Sequence, residues 1–149
     1  MLSNPVVIPF STTLHVRDTC LCLAVQRSAR ALARRFDQAM KPTGLTNGQF
    51  SLLMSLNRPE PATMKSVANL LAMDRTTLTA ALKVLERRGL VLSIADPKDR
   101  RGRLVTLTPD GVHALAAALP IWTQVHAEID TELGDHGPQA LRAALARIG

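Results

Sequence analysis

The run from Asp74 to Thr108 constrains the fold more than any other part of the chain. It begins Asp74-Arg75-Thr76-Thr77-Leu78-Thr79-Ala80-Ala81-Leu82-Lys83-Val84-Leu85-Glu86-Arg87-Arg88-Gly89-Leu90-Val91. It continues through Asp96-Pro97-Lys98-Asp99-Arg100-Arg101-Gly102-Arg103 into Leu104-Val105-Thr106-Leu107-Thr108. Asp74 is a helix N-cap type, whose carboxylate satisfies a backbone N–H that the first turn leaves free. Leu78, Ala81, Leu82 and Leu85 then recur at helical spacing, and Gly89 supplies the stop. Leu90–Ile94 and Leu104–Leu107 are two short runs of strand-forming residues, joined by a turn over Ala95–Arg103. The pattern predicts one capped amphipathic helix followed by a β-hairpin with an arginine-rich tip.

On a helical wheel the apolar residues of this helix fill roughly a quarter to a third of the circumference, with Thr76, Thr79, Lys83 and Arg87 opposite. The apolar stripe packs the helix down. The polar stripe offers short side chains that approach base edges closely, and threonine methyls that meet thymine methyls. Lys83 and Arg87 reach for flanking phosphates. A solvated polar face is the bland alternative for the helix alone. The hairpin weighs against it. Lys98, Arg100, Arg101 and Arg103 at a protruding tip suit a narrow minor groove, where negative potential is strongest. Asp99 is expected to pair with a neighbouring arginine and stiffen the tip. Asp74–Arg103 holds eight Lys or Arg against four Asp or Glu, a net +4 within a chain of net +6. Binding to a polyanion with strong salt dependence follows.

Residues 1–12, with Pro5 and Pro9, read as a loose arm. A long helix is expected from about Thr13 to Lys41, with Leu14, Leu21, Val25, Leu32 and Phe36 forming a coiled-coil-like seam. Pro42 and Gly44 end it. Thr46-Asn47-Gly48-Gln49 is a capping box, leading a helix with Phe50, Leu52, Leu53 and Leu56. Thr63 caps a short helix carrying Val67, Leu70 and Leu71. Ala72-Met73 makes the turn to the Asp74 helix, completing a helix-turn-helix. Thr108 and Pro109 open another long helix, which Pro120 should kink or break. A last helix spans Gln139–Ile148, with Leu141, Leu145 and Ile148 on one face.

At 149 residues the chain makes one domain, or two small ones sharing a core. Its hydrophobic content of 46% is enough to bury that core, with aromatics at only 3% and no Tyr. Packing therefore rests on Leu, Ala, Val and Met. No apolar run reaches the length of a membrane span, and the N-terminus lacks the features of a signal peptide. With two Cys, reduced thiols and a cytoplasmic location are expected.

The chain resembles the MarR family of bacterial transcriptional regulators. The matching pieces are Leu45-Thr46-Asn47-Gly48-Gln49-Phe50-Ser51-Leu52-Leu53, the block Asp74–Val91, Asp96-Pro97-Lys98-Asp99-Arg100-Arg101, and Leu104-Val105-Thr106-Leu107-Thr108-Pro109-Asp110-Gly111. The resemblance covers roughly Arg17 to Leu119. It implies a mainly α fold with a small β-wing: a winged helix-turn-helix lobe over 45–108, and a helical dimerisation region from 13–44 and 109–149. It implies a homodimer on a pseudo-palindromic operator of double-stranded DNA, usually a repressor released by a small ligand or by oxidation. Two recognition helices would enter major grooves about one helical turn apart. Arg101 matches the wing arginine that enters the minor groove; Ala80 departs from a basic residue often found there. The expected DNA-contacting set is Lys65, Arg75, Thr76, Thr77, Thr79, Lys83, Arg87, Lys98, Asp99, Arg100, Arg101 and Arg103.

Ligands of the family often occupy a crevice between the dimerisation helices and the DNA-binding lobe. Here that crevice would draw on His15, Arg17, Leu21, Phe50, Met54 and Trp122, with His15 or Arg17 meeting the carboxylate of an aromatic or other organic acid. Core or surface roles are the plain reading of each. The alternative is a thiol-based oxidant sensor. Leu21-Cys22-Leu23-Ala24 resembles the reactive-cysteine site of the organic-hydroperoxide-sensing branch, but that branch's two thiolate-binding tyrosines fall at Gln26 and Phe36. Without donors or cations a thiol stays protonated and inert. Cys20 and Cys22, two apart on one helix, would point to nearly opposite faces, a poor geometry for a disulfide. His113, His126 and His136 lack tight metal-ligand spacing, and no metal or cofactor is expected. An enzyme is a weaker reading: there is no glycine-rich phosphate loop and no acid–base pair, and the chain is short for a catalytic domain. A non-specific architectural DNA binder is the remaining alternative.

Overall fold

The computed structural model describes residues 5–149. Residues 1–4 of the expected arm lie outside that range; residues 5–9 have no regular structure, and a helix already begins at Phe10. The chain divides into two compact units, with the boundary between Arg35 and Phe36.

The first unit holds α1 (Phe10–Thr19) and most of α2 (Leu21–Met40). A single helix from 13 to 41 does not form. Asp18, Thr19 and Cys20 are three poor helix formers in a row, and Cys20 turns extended, with φ −73° and ψ 109°. Its carbonyl accepts from the N–H of Ala24 at 3.1 Å, and its Sγ accepts from the N–H of Leu23 at 3.4 Å. Cys20 is therefore the N-cap of α2, with sulfur in the place usually taken by oxygen. The expectation that Cys20 and Cys22 share one continuous helix fails here, and with it the opposite-face argument. No residue of α1 is buried, and the seam residues Leu21, Val25 and Leu32 of α2 are exposed.

The second unit begins in the last turn of α2, where Phe36 and Met40 are buried. A 3-10 turn over Lys41–Thr43 ends at Gly44, whose φ of 72° suits glycine. Thr46 and Gln49 form the expected capping box of α3 (Asn47–Ser55). The Asn47 N–H also donates to Asp37 Oδ1 at 2.6 Å, which ties the start of α3 to the end of α2. β1 (Ala62–Thr63) leads directly into α4 (Met64–Leu71), capped by the Thr63 hydroxyl. Ala72 closes α4 in the left-handed region at φ 51°, and α5 (Arg75–Arg87) follows its Asp74 cap.

Helix α5 stops at Gly89, with φ 74°; the Leu90 N–H reaches back to the Leu85 carbonyl at 3.0 Å. That six-to-one bond over a left-handed glycine is the Schellman arrangement. β2 (Val91–Asp96) and β3 (Asp99–Leu107) form the wing, and β1 pairs on the other edge of β3, giving an antiparallel order β1-β3-β2. The strand β1 was not visible in the sequence: two residues carry no alternation. Both wing strands run further than expected. Asp96 pairs with Asp99, so the turn is only Pro97-Lys98, and Arg100, Arg101 and Arg103 lie on β3.

Leu53, Val67, Leu78, Leu85 and Val105 are fully buried at the centre of this unit. Each fully buried Leu contributes about 1.5–3 kcal/mol relative to an exposed one, so the stripe of α5 is a principal anchor. α6 (Pro109–Leu133) is capped by Thr108, whose hydroxyl accepts from the Gly111 N–H at 3.1 Å and donates to the Gly89 carbonyl at 2.6 Å. A methyl group at Gly111 would overlap the Leu90 carbonyl oxygen, so glycine lets α6 cross the end of α5 closely. The helix runs unbroken past Pro120, although proline leaves the carbonyl four residues earlier without its N–H partner. α7 (Gly137–Ala146) completes the chain; Leu141, Leu145 and Ile148 are exposed.

Candidate nucleic-acid interface

The apolar stripe of α5 fixes what its opposite face presents. Leu78, Leu82 and Leu85 are buried. Arg75, Thr76, Thr77, Thr79, Lys83 and Arg87 are all exposed, as are Lys65 on α4 and Lys98, Asp99, Arg100, Arg101 and Arg103 on the wing. The ridge read from the sequence is therefore open to solvent along its length.

Hydrogen bonds distinguish the threonines. Asp74 Oδ1 accepts from the Thr77 N–H at 2.8 Å, and Asp74 Oδ2 accepts from the Thr77 hydroxyl at 2.7 Å. The backbone bond first, and the hydroxyl second, hold the Asp74 carboxyl below its ordinary pKa. Thr77 thus serves the cap. The Thr79 hydroxyl donates to the Arg75 carbonyl at 2.7 Å, so it keeps only acceptor capacity and a methyl for a partner. Thr76 makes no side-chain hydrogen bond within the described residues, and its hydroxyl keeps its full bonding capacity.

The wing is stiffened differently from the sequence expectation. Asp99 accepts from the backbone N–H of Arg101 at 3.0 Å, not from a guanidinium. Asp96 likewise accepts from the Lys98 N–H at 2.9 Å. Both acids fold the tip back on itself, and among the described residues the cations Lys98, Arg100 and Arg101 have no side-chain partner. Arg103 is the exception: its Nε donates to Ser93 Oγ at 3.1 Å across the hairpin. Ser93 was not singled out in the sequence; only strand register brings it beside Arg103. A depression of about 290 Å³ joins the two elements, with Arg75, Thr79 and Lys83 on the helix side and Ser93 and Arg103 on the wing side.

Three of the six ligand candidates come together. Phe50, Met54 and Trp122 line one apolar cavity of about 470 Å³, together with Leu70, Leu71 and Leu119. The rings of Phe50 and Trp122 stack with centroids 6.2 Å apart, and His126 packs against Trp122 at 4.3 Å and Phe36 at 5.0 Å. His126 is thereby an aromatic packing residue. His15, Arg17 and Leu21 belong to the first unit. Arg17 is committed to its neighbour Asp18 by two bonds, at 2.6 and 3.0 Å, and that carboxylate raises its pKa further above the usual value.

The exposed Cys22 is not without a donor, as the sequence suggested: the Gln26 side-chain amide lies 3.2 Å from its Sγ. One helical turn brings them together. Both thiols are free. No described helix is long and apolar enough to cross a membrane.

A capped recognition-type helix, a short helix ahead of it and a cationic hairpin behind it define a winged helix-turn-helix protein. Comparison with known proteins narrows this. The MarR family model matches residues 45–102. The transcriptional regulator MosR of M. tuberculosis, solved in complex with DNA, is 39% identical; the match covers 87% of this chain and 92% of that one, with a TM-score of 0.79. The transcriptional repressor CouR, solved on a 23-mer DNA duplex, is 31% identical over 89% of this chain and 94% of that one, with a TM-score of 0.78. The organic hydroperoxide resistance transcriptional regulator of Bacillus subtilis is 31% identical over 91 residues, 61% of this chain and 62% of the relative. The chain belongs to the MarR family of DNA-binding transcriptional regulators.

Proposed function

We propose that the protein binds a pseudo-palindromic operator as a homodimer and represses transcription until a small organic ligand releases it. Residues 45–108 are the DNA-binding lobe, and 13–44 with 109–149 are the dimerisation region. Thr76 and Thr79 enter the major groove, and Arg100 and Arg101 follow the minor groove. Lys65, Arg75, Lys83, Arg87, Lys98 and Arg103 meet phosphates, while Thr77 and Asp99 hold helix and tip in shape. The carrying observation is the exposed α5 ridge beside a wing whose acids bond backbone and leave Arg100 and Arg101 free among the described residues. Exposed Val25 and Leu32 on α2, with Leu141 and Leu145 on α7, supply apolar surface that a second copy would cover. The DNA complexes of MosR and CouR support the same reading.

The test is binding to the DNA upstream of the protein's own gene over a salt series. The expected result is a strong sequence preference and a steep salt slope. The Arg101→Ala variant should lose operator affinity with unchanged melting, and its slope should fall by about 0.9. Equal affinity for random duplexes would leave an architectural binder instead.

A second reading has its own observation. Gln26 stands within hydrogen-bonding distance of the Cys22 sulfur, and a peroxide-resistance regulator is among the relatives. In that reading Cys22 is oxidised by a hydroperoxide and the dimer leaves DNA. Equal release from the native protein and the Cys22→Ser variant would dismiss it.

A further inference from the structure

We propose that the apolar cavity between α3, α4 and α6 takes a small uncharged molecule with a ring, not an organic acid, and that its occupancy reaches α5 through the last turn of α4. The inference rests on the reading of the protein as a ligand-released regulator and supplies the chemistry of the ligand.

The wall decides the charge. Phe50, Met54, Leu70, Leu71, Leu119 and Trp122 give it an apolar surface, and no cation lines it. Of its two serines, Ser55 already donates its hydroxyl to the Leu52 carbonyl at 2.6 Å. Ser51 makes no side-chain hydrogen bond among the described residues, nor does the Trp122 indole N–H, and these two neutral groups are what the wall offers a ligand. Placing a carboxylate against such a wall strips its water and returns no countercharge, which is strongly unfavourable. A neutral group with a single hydrogen-bonding atom suffers no such loss. The near-parallel Phe50 and Trp122 rings and the adaptable Met54 thioether suit a flat ring.

The route to DNA is short. Leu70 and Leu71 form both the cavity wall and the last turn of α4. Only Ala72 and Met73 separate them from Asp74, the cap of α5. The Met73 N–H is held by the Ala68 carbonyl at 3.0 Å, and Ala72 occupies the left-handed region that a side chain rarely adopts. Such a turn has little slack. Displacement of Leu71 by a ligand is therefore passed to the first turn of α5.

Trp122 is the single tryptophan of the sequence, so its emission reports the cavity directly. The probes are 4-nitrotoluene and 4-nitrobenzoate, which share a ring and a quenching nitro group and differ in charge. Saturable quenching by 4-nitrotoluene is expected, with a Kd at least about tenfold below that of 4-nitrobenzoate. The Ser51→Lys variant, which adds a cation to the wall, should shrink or reverse that ratio. In parallel titrations 4-nitrotoluene should lower operator affinity about tenfold, and Ala72→Gly, which relaxes the turn, should blunt that release while leaving the quenching unchanged. Equal or tighter binding of 4-nitrobenzoate to the unaltered protein, or no saturable quenching by either compound, overturns the ligand class. Full release in Ala72→Gly overturns the route. Operator binding without any ligand tests the regulator reading separately, since a protein can hold its operator and still prefer the acid.

Discussion

Two helices carry similar apolar periodicity and put it to different ends. In α5, Leu78 and Leu85 are 0% exposed; in α2, Leu21 is 68% exposed and Leu32 41%. The caps differ as well: an Asp74 carboxylate for α5, a Cys20 thiol for α2. The α5 stripe finds its partners within one chain. Leu21, Val25 and Leu32 of the α2 stripe stay exposed among the described residues. An apolar stripe therefore records that a surface will be covered, and says nothing about whether the cover is the same molecule or a second copy.

Breaking the buried stripe should have the largest effect. Leu82→Asp places an unpaired charge in the core, where such losses run to about 3–5 kcal/mol, and the far-UV dichroism of the lobe should collapse at room temperature. A cooperative melt near that of the native protein would show the stripe to be dispensable.

Leu32→Asp is the matching change on α2. It should convert the dimer to a monomer by sedimentation while preserving the dichroism of the lobe. Simultaneous loss of the lobe would mean that the α2 seam packs within the chain.

The caps should matter less. Asp74→Ala should lower the melting temperature and weaken operator binding together, because the first turn of α5 carries Thr76. The pH dependence has a defined sign. The Asp74 pKa in the folded state lies below its ordinary value, so the cap stabilises fully above the ordinary carboxylate range. That contribution fades as pH falls through the folded value. A native protein whose melting rises with acidification, relative to Asp74→Ala, would contradict it. Smallest of all should be Cys20→Ser. Serine is the better N-cap, so the melting temperature should hold or rise slightly; a clear fall would show the sulfur to be packed for another reason.

What was legible follows the range of the interaction. The Thr46–Gln49 box, the Thr63, Asp74 and Thr108 caps and the Gly89 stop join residues three to five apart, and each forms as the sequence predicts. The break at Cys20 was also local, but coiled-coil spacing through Leu14 and Leu21 concealed it. The length of the wing strands was hidden because charged residues read as turn, while a hairpin edge accepts them at no cost.

The sequence by itself determined where most helices start and stop and which face of α5 is polar, because caps, breakers and helical periodicity act within a few residues. Only the tertiary structure decided that Ser93 holds Arg103, that His126 packs between Phe36 and Trp122, and that the Phe50 cavity has no cation. Ser93 and Arg103 are ten positions apart and Phe36 and His126 ninety; Trp122 and His126 are neighbours on one helix that packing turns toward Phe36. Their geometry is fixed by strand register and helix packing, which no local spacing encodes.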